Sequence, residues 1–432
     1  MHLFGNALKN SLALLVMMVA QLGSVVLLGV WQPDELFYLG PVIPLTSLLS
    51  SFVSGFAIFC AVEVGCLMGK GNSQGARDCL ALGLITVTLM TLMTLGLVML
   101  AIVVSQGVVF LSPGNGFQLS GQYLLLWLPG LLPLSVSSVL SQSLRSSGYI
   151  NHYLCLMVIA AAAVFFFDLL AVVWLKMGLI GTAGSFLLSS TLSLIISMLF
   201  CRKLRLWPQR WPLPGQWWKL TRAQSRRAAA VMANSVQPTL LKLVLVSLLT
   251  MVSPFWGSCA GIWTRVEVIL LVPVNGLCGG MMSCLPKAYG AGRVELVNGM
   301  IVRGLCYVLL IEGGLTALGY WYADSLLPYV TDDQGVRIVL GEITERLIWS
   351  YPLLALGIMA SQILQVLGRG SAVLRLTVSR NLMLVAAFLM VLSRVGPAEA
   401  ISVQAAVNAG FAVVIVLALR RVQTRYLIPA NL

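Results

Sequence analysis

Again and again along its 432 residues the chain runs for about twenty positions with hardly a charge. In lipid such a run has one favourable conformation. No water is present to bond the backbone, so each N–H and C=O must be satisfied internally, which a helix achieves. Roughly 20 apolar residues at about 1.5 Å each cross the hydrocarbon core. Cut at Gly, Pro, Asn and charge clusters, the runs give about twelve helices by that rule. They lie near 12–31, 41–66, 79–104, 119–142, 152–175, 179–201, 228–252, 257–285, 298–322, 342–367, 371–393 and 397–419. The composition, 59% hydrophobic and 9% charged with a mean hydropathy of +0.94, leaves too little polar surface to cover a soluble globule. The expected class is an all-α polytopic membrane protein. The first span, preceded by Lys9, is longer than a signal-peptide core and lacks a small-x-small cleavage site, so it is read as retained.

The net charge of +13 follows a topological pattern. Lys70 and Arg77 follow the second span, Arg145 the fourth, Lys287, Arg293 and Arg303 the eighth, and Arg369, Arg375 and Arg380 the tenth. Arg420, Arg421 and Arg425 come after the last span, and the connection from Arg202 to Arg227 is densely basic. The alternate loops carry only Lys176, Arg337 and Arg394, and Asp332-Asp333 is acidic. This is the positive-inside bias, and it places both termini in the cytoplasm of a multi-pass inner-membrane protein. No segment is long enough to fold as a basic soluble domain, so nucleic acid is not an expected partner. In the connection, Trp207-Pro208, Trp211-Pro212 and Trp217-Trp218 interleave with the basic residues. Such a segment contacts substrate or nucleic acid, or lies at headgroup depth against anionic lipid; the second is the simpler reading.

The chain divides into a six-helix lobe over 1–201, a basic linker over 202–227 and a second six-helix lobe over 228–432. Gly55 and Gly69 in the first half are spaced as Gly276 and Gly290 are in the second. Trp127, Pro129 and Gly148 stand against Trp349, Pro352 and Gly370. Six spans per half is an even number, so the halves insert with the same orientation. Two bundles related by a parallel pseudo-two-fold are expected, with the substrate path between them.

Within the spans, a few ionisable residues stand out. Asp168 interrupts the run from Ala160 to Leu175. An unpaired carboxylate there costs on the order of 3 kcal/mol or more, so it is paired, protonated or facing a cavity. A proton removes the charge and a cationic substrate neutralises it instead, so one site exchanges the two; the alternative is a structural partner, bonded to hydroxyls or to Lys242. At Asp168's repeat position stands Met390, which makes a coupling site in one lobe only the expected arrangement. Glu63, near the cytoplasmic end of the second span, either delivers protons or snorkels to the headgroups. Arg265 and Glu267 are too close in sequence to face each other on a helix and need partners elsewhere. Those partners are lobe-holding ions or substrate. Lys242 points to an anionic or zwitterionic substrate, or to a salt bridge with Glu267 or Glu312. Glu312, mid-span before Gly313-Gly314, has the same two readings. Pro44, Pro129, Pro133, Pro238, Pro273 and Pro352 fall within or at the ends of spans and mark kinks or hinges.

Enzyme chemistry finds no support. Gly69-Lys70 lacks the other glycine and the Ser or Thr of an ATP-binding loop, and there is no Gly-x-Ser-x-Gly. The nine cysteines include no Cys-x-x-Cys pair and are read as small apolar residues, not as metal ligands or disulfides. His2 and His152 are the only histidines. No metal and no resident cofactor are expected.

The glycine-rich turns Met68 to Ala76 and Tyr289 to Arg293, Leu144-Arg145-Ser146-Ser147-Gly148, and Phe167-Asp168-Leu169-Leu170 followed by Gly178 to Gly184 together resemble the multidrug and toxic compound extrusion (MATE) family. The similarity covers nearly the whole chain. The resemblance implies a monomeric secondary antiporter that exports small organic compounds (drugs, toxins or metabolites) by alternating access, with Asp168 at the family's fifth-span acidic position. Many relatives carry an acid near the end of the first span; here Gln21 to Trp31 has none, and Asp34 and Glu35 fall in the following loop. Sodium stripped of water wants several oxygen ligands and few are visible, so a proton is the expected coupling ion. A flippase for an amphiphilic or lipid-linked precursor is the rival reading; relatives of that kind often have two further spans and a strongly cationic cavity.

Overall fold

A computed structural model describes residues 2–32, 35, 42–109, 115–209, 211, 214–323, 325, 327 and 333–426, and among these no strand occurs. The helices are α1 (His2–Trp31), α2 (Val42–Gly69), α3 (Ser73–Val109), α4 (Asn115–Trp127), α5 (Leu131–Ser146), α6 (Ile150–Leu169), α7 (Gly178–Lys203) and α8 (Pro214–Val252). They continue as α9 (Pro254–Leu270), α10 (Val272–Gly290), α11 (Val294–Trp321), α12 (Gln334–Leu347), α13 (Tyr351–Val366), α14 (Gly370–Arg394) and α15 (Pro397–Tyr426). Among the described residues eleven stretches are long and apolar enough to cross a membrane, and α9 with α10, bent by 44° where they meet, bring the number to twelve if the pair is one broken span.

The breaks have local causes. Pro129 removes an N–H from the helical ladder, and the chain tightens into a 3-10 turn over Leu128–Gly130 before α5 resumes. A matching 3-10 turn, Ile348–Ser350, precedes α13, with Pro352 at its start. The eighth span, expected to be continuous, bends at Leu271, where Pro273 lies in the first turn of α10. The connection after Lys203 is also shorter than the sequence suggests. Helix α8 begins at Pro214, in the position where a missing N–H is harmless, so residues 214–227 are its opening turns. Ahead of it the Arg202 guanidinium lies 5.1 Å from the Trp207 ring centre.

Two compact units result, Leu12–Val236 and Met1–Ser11 with Gln237–Leu432. In the first, α2 packs on α3 and α5, α3 also on α5, and α7 on α5 and α6. Its core includes Phe56, Leu80, Val139 and Leu144, and a second cluster has Trp127 stacked on Phe186 at 4.7 Å. In the second unit α10 packs on α11, α11 on α13, and α15 on α13 and α14, repeating the pairings of the corresponding helices. There the first turns of α1 lie against α10. A Cβ at Gly280 would come within 2.7 Å of the Ala7 Cα, and Asn10 donates to the carbonyl of Gly276 at 3.3 Å.

The internal repeat shows in the turns. Gly71, Gly148, Gly292 and Gly368 all adopt left-handed φ, between 68° and 92°, as helix-ending residues do. The 3-10 turns and the glycines that follow them share one offset, so the counterpart of Gly148 is Gly368 and not Gly370. On that register Asp168 corresponds to Phe388, fully buried in the core of its unit, rather than to the exposed Met390.

Candidate functional site

Asp168 is the next-to-last residue of α6, followed at once by a π-helical turn over Leu170–Trp174. The sequence run places it near the middle of a span; in the helix it lies close to the end, just before the turn. Such π-bulges are rare and concentrate at functional positions. The carboxylate is 3% exposed. The Ser24 hydroxyl of α1 donates to Asp168 Oδ2, and has the carbonyl of Ala20 as its other acceptor at 3.0 Å. Ser185 of α7 stands in the same relation, within hydrogen-bond reach of Asp168 and 3.0 Å from the Gly181 carbonyl. Each hydroxyl has one proton and two acceptors. An ionised Asp168 can therefore take both protons, and a neutral one can donate to a serine that turns back to its own helix. Tyr123 of α4, itself buried, is within electrostatic reach.

Glu35 supports this corner from outside. Its Oε2 accepts from the Leu179 N–H at 2.6 Å, at the start of α7, where the helix leaves N–H groups unpaired. Gln32 donates to the Lys176 carbonyl at 3.2 Å. Gly178 adopts φ +58°, the left-handed region that favours glycine, and the ends of the Gln32 and Glu35 side chains fill the space a Cβ would take. Asp34 lies outside the described residues.

The other candidates gather in the second unit. Lys242 on α8 pairs with Glu267 on α9 at 3.1 Å, which decides between Glu267 and Glu312 as its partner. Glu267 also acts on Arg380 and Tyr351, and Tyr351 feels Glu312 and accepts from the Trp263 indole N–H at 3.0 Å. Arg380 bonds Asn381 Oδ1 at 2.8 Å and lies 4.9 Å from the Phe411 ring centre; Asn381 in turn donates to Gln237 at 3.1 Å. Glu312 is fully buried, and neither of its oxygens has a hydrogen-bond partner among the described residues. Arg265 is on α9, and its side chain lies outside the described residues.

Glu63 stands apart from Asp168. It pairs at 3.7 Å with Arg227, a side chain 69% exposed, and such contacts contribute little. Counted from the linker-side ends of α2 and α6, the two acids differ in depth by about 18 Å at 1.5 Å per residue.

Sequence reasoning missed Ser24, Ser185 and Arg380. The serines are single hydroxyls in apolar helices. Arg380 reads as a loop cation, yet it sits ten residues into α14, about 15 Å from its start.

Comparison with known proteins bears on this arrangement. Residues 230–392 match the family model MatE. The structure of a MOP superfamily transporter from Pyrococcus furiosus, described as having a binding pocket of reversed polarity, superposes with a TM-score of 0.87 at 18% identity over 97% of this chain and 95% of that one. A variant of the Vibrio cholerae MATE transporter VcmN gives 0.88 at 16% identity, over 99% and 97%. The chain has the fold of the MATE transporters. A Shewanella oneidensis protein described as a FAD transporter is 23% identical over 353 residues, 77% of this chain and 75% of that protein. The Pyrococcus furiosus, Vibrio cholerae and Shewanella oneidensis proteins are each described as transporters.

Proposed function

We propose that the chain is a monomeric secondary antiporter of the inner membrane, with both termini cytoplasmic. It exports small organic compounds in exchange for protons by alternating access, and Asp168 is the group for which proton and substrate compete. The observation that carries this reading is the pair of serines around Asp168, each with a second acceptor on its own helix. Such a site keeps its hydrogen bonds whether the carboxylate is charged or neutral, so proton gain and loss leave no buried group unpaired. The π-turn beside it supplies backbone that can rearrange.

A proton is favoured over sodium because the polar neighbours of Asp168 among the described residues are few. Two serine hydroxyls and a tyrosine fall short of the several oxygens a dehydrated cation needs. No resident cofactor is required, since the transported proton is itself the coupling species. Small organic solutes and membrane lipid are the partners. The FAD transporter of Shewanella oneidensis makes a flavin dinucleotide one solute to assay beside an organic cation such as ethidium.

The test is efflux from proteoliposomes under an imposed pH gradient, with both solutes, comparing wild type with Asp168→Asn. Gradient-driven export is expected in the wild type and absent in the variant. Equal export by the two proteins would remove Asp168 from the mechanism.

A further inference from the structure

A cavity of about 500 Å³ lies between α2, α3 and the first half of the membrane-crossing part of α8, wholly within the unit Leu12–Val236. It involves neither Asp168 nor the charged cluster of the other unit. Its shape follows from helical stripes. Phe52, Phe56 and Phe59 succeed one another at a turn's spacing on α2, Thr86 and Met90 do so on α3, and Ala229 and Ala233 face them from α8. The hydroxyls in the lining, on Thr86 and Ser225, are bonded to carbonyls of their own helices, at 2.8 Å to Leu82 and 2.9 Å to Arg222. Along α8 the lining runs from Gln224, where the crossing segment begins, to Val236, which is about 18 Å at 1.5 Å per residue. The cavity is thus a long apolar slot that starts at the membrane surface and reaches towards the middle of the hydrocarbon.

Its outer end is cationic. The stripe of Ala229, Ala233 and Val236 continues outward on the same face of α8 to Arg226 and Arg222, which are exposed and make no ion pair among the described residues. Arg227, next to them, is the partner of Glu63. An apolar slot the depth of one leaflet, headed by two free guanidinium groups at the headgroup level, matches an amphiphile with one long chain inserted and an anionic head. The guanidinium fork binds phosphate oxygens in pairs.

We propose that this slot holds one acyl chain of an anionic phospholipid, whose phosphate is bound by Arg222 and Arg226 while its second chain stays in the bilayer. The site is independent of the transport reading. It is tested with the full chain reconstituted in phosphatidylcholine containing a trace of phosphatidylglycerol that carries a photoreactive diazirine midway along one chain, with a matching phosphatidylcholine probe in a parallel sample. Cross-linked peptides are mapped by mass spectrometry.

The phosphatidylglycerol probe is expected to label the segments 52–60, 79–90 and 224–236 in preference to the other spans, and to do so roughly tenfold more than the phosphatidylcholine probe. Arg222→Gln with Arg226→Gln should abolish that preference, and Ala233→Phe, which fills the slot, should suppress labelling by either probe. Equal labelling by the two probes in the wild type, or labelling spread evenly over the spans, overturns the proposal. The wild-type comparison decides this even if the filled variant fails to fold.

Discussion

Ser24 and Asp168, 144 residues apart, are joined by a hydrogen bond between the first and fifth spanning helices of their unit. In the other unit Gln237 and Asn381, also 144 residues apart, are joined at 3.1 Å between the first and fifth spanning helices of the second half. At the repeat offset of 220 residues Ser24 and Asp168 correspond to Val244 and Phe388, so the amide pair lies seven residues, about two helical turns, from the equivalent level. The position of the carboxylate is taken in the second half by the buried Phe388, and the nearby amide pair has Arg380 beside it.

If Ser24 serves the ionised form of Asp168, replacing it removes a hydrogen bond to a charged group, which contributes roughly 1.5–3 kcal/mol. Ser24→Ala should slow proton-driven export by about tenfold or more, whereas Ser24→Thr, which keeps the hydroxyl, should stay near wild type. Initial efflux rates from proteoliposomes measure both. An unimpaired Ser24→Ala would show that the hydroxyl has no part in coupling.

Lys242 and Glu267 should behave as a pair. Removing one partner leaves the other's charge poorly solvated; Glu267's side chain is 10% exposed and Lys242's 35%. Lys242→Met is expected to cost about 2 kcal/mol, less than a fully buried pair would. Lys242→Met with Glu267→Leu should be more stable than either single variant, because apolar packing replaces a desolvated ion pair. Thermal unfolding in detergent reads this, and a double variant less stable than both singles would contradict it.

Two glycine substitutions should have opposite effects. At Gly280 a Cβ meets the backbone of Ala7 at 2.7 Å, so Gly280→Ala must push α1 from α10 and should lower stability by about 1–3 kcal/mol. At Gly299, on α11, nothing lies within 4 Å. There Gly299→Ala should be neutral or stabilising by up to about 1 kcal/mol, through helix propensity. Melting temperatures of the two variants in the same detergent give the comparison.

Glu312 is buried as deeply as Asp168 but has no serine relay. With coupling confined to one unit, Glu312→Gln should leave export rates within about twofold of wild type and stability unchanged or slightly higher, since a desolvated acid is removed. A variant that folds normally and no longer exports against a pH gradient would put a second proton-carrying acid in the carboxy-terminal unit.

The spans were legible in the sequence because a lipid-crossing helix needs a long apolar run and little else. Their breaks were harder to place. Pro129, Pro273 and Pro352 mark the neighbourhoods, but whether a proline yields a 3-10 step or a 44° bend depends on packing around it. The repeat was visible in glycines and tryptophans, yet its register was two residues off in the second motif, because Trp349 lies inside a 3-10 turn and Trp127 just before one. Asp168 stood out by its charge. Its partner Ser24 could not, because a hydroxyl in an apolar helix has no spacing that announces a contact 144 residues away. The choice of Glu267 over Glu312 for Lys242 was likewise set by tertiary packing.

If proton and solute share one carboxylate, solute flow must drive proton movement through Asp168, and that movement can be measured directly. Proteoliposomes loaded with a pH-sensitive dye, with no pH gradient imposed, receive a transported solute on one side only. The wild type should move protons against the solute flow and Asp168→Asn should move none, while a protonophore collapses the wild-type signal. Solute-driven proton movement that persists in Asp168→Asn would contradict a shared carboxylate.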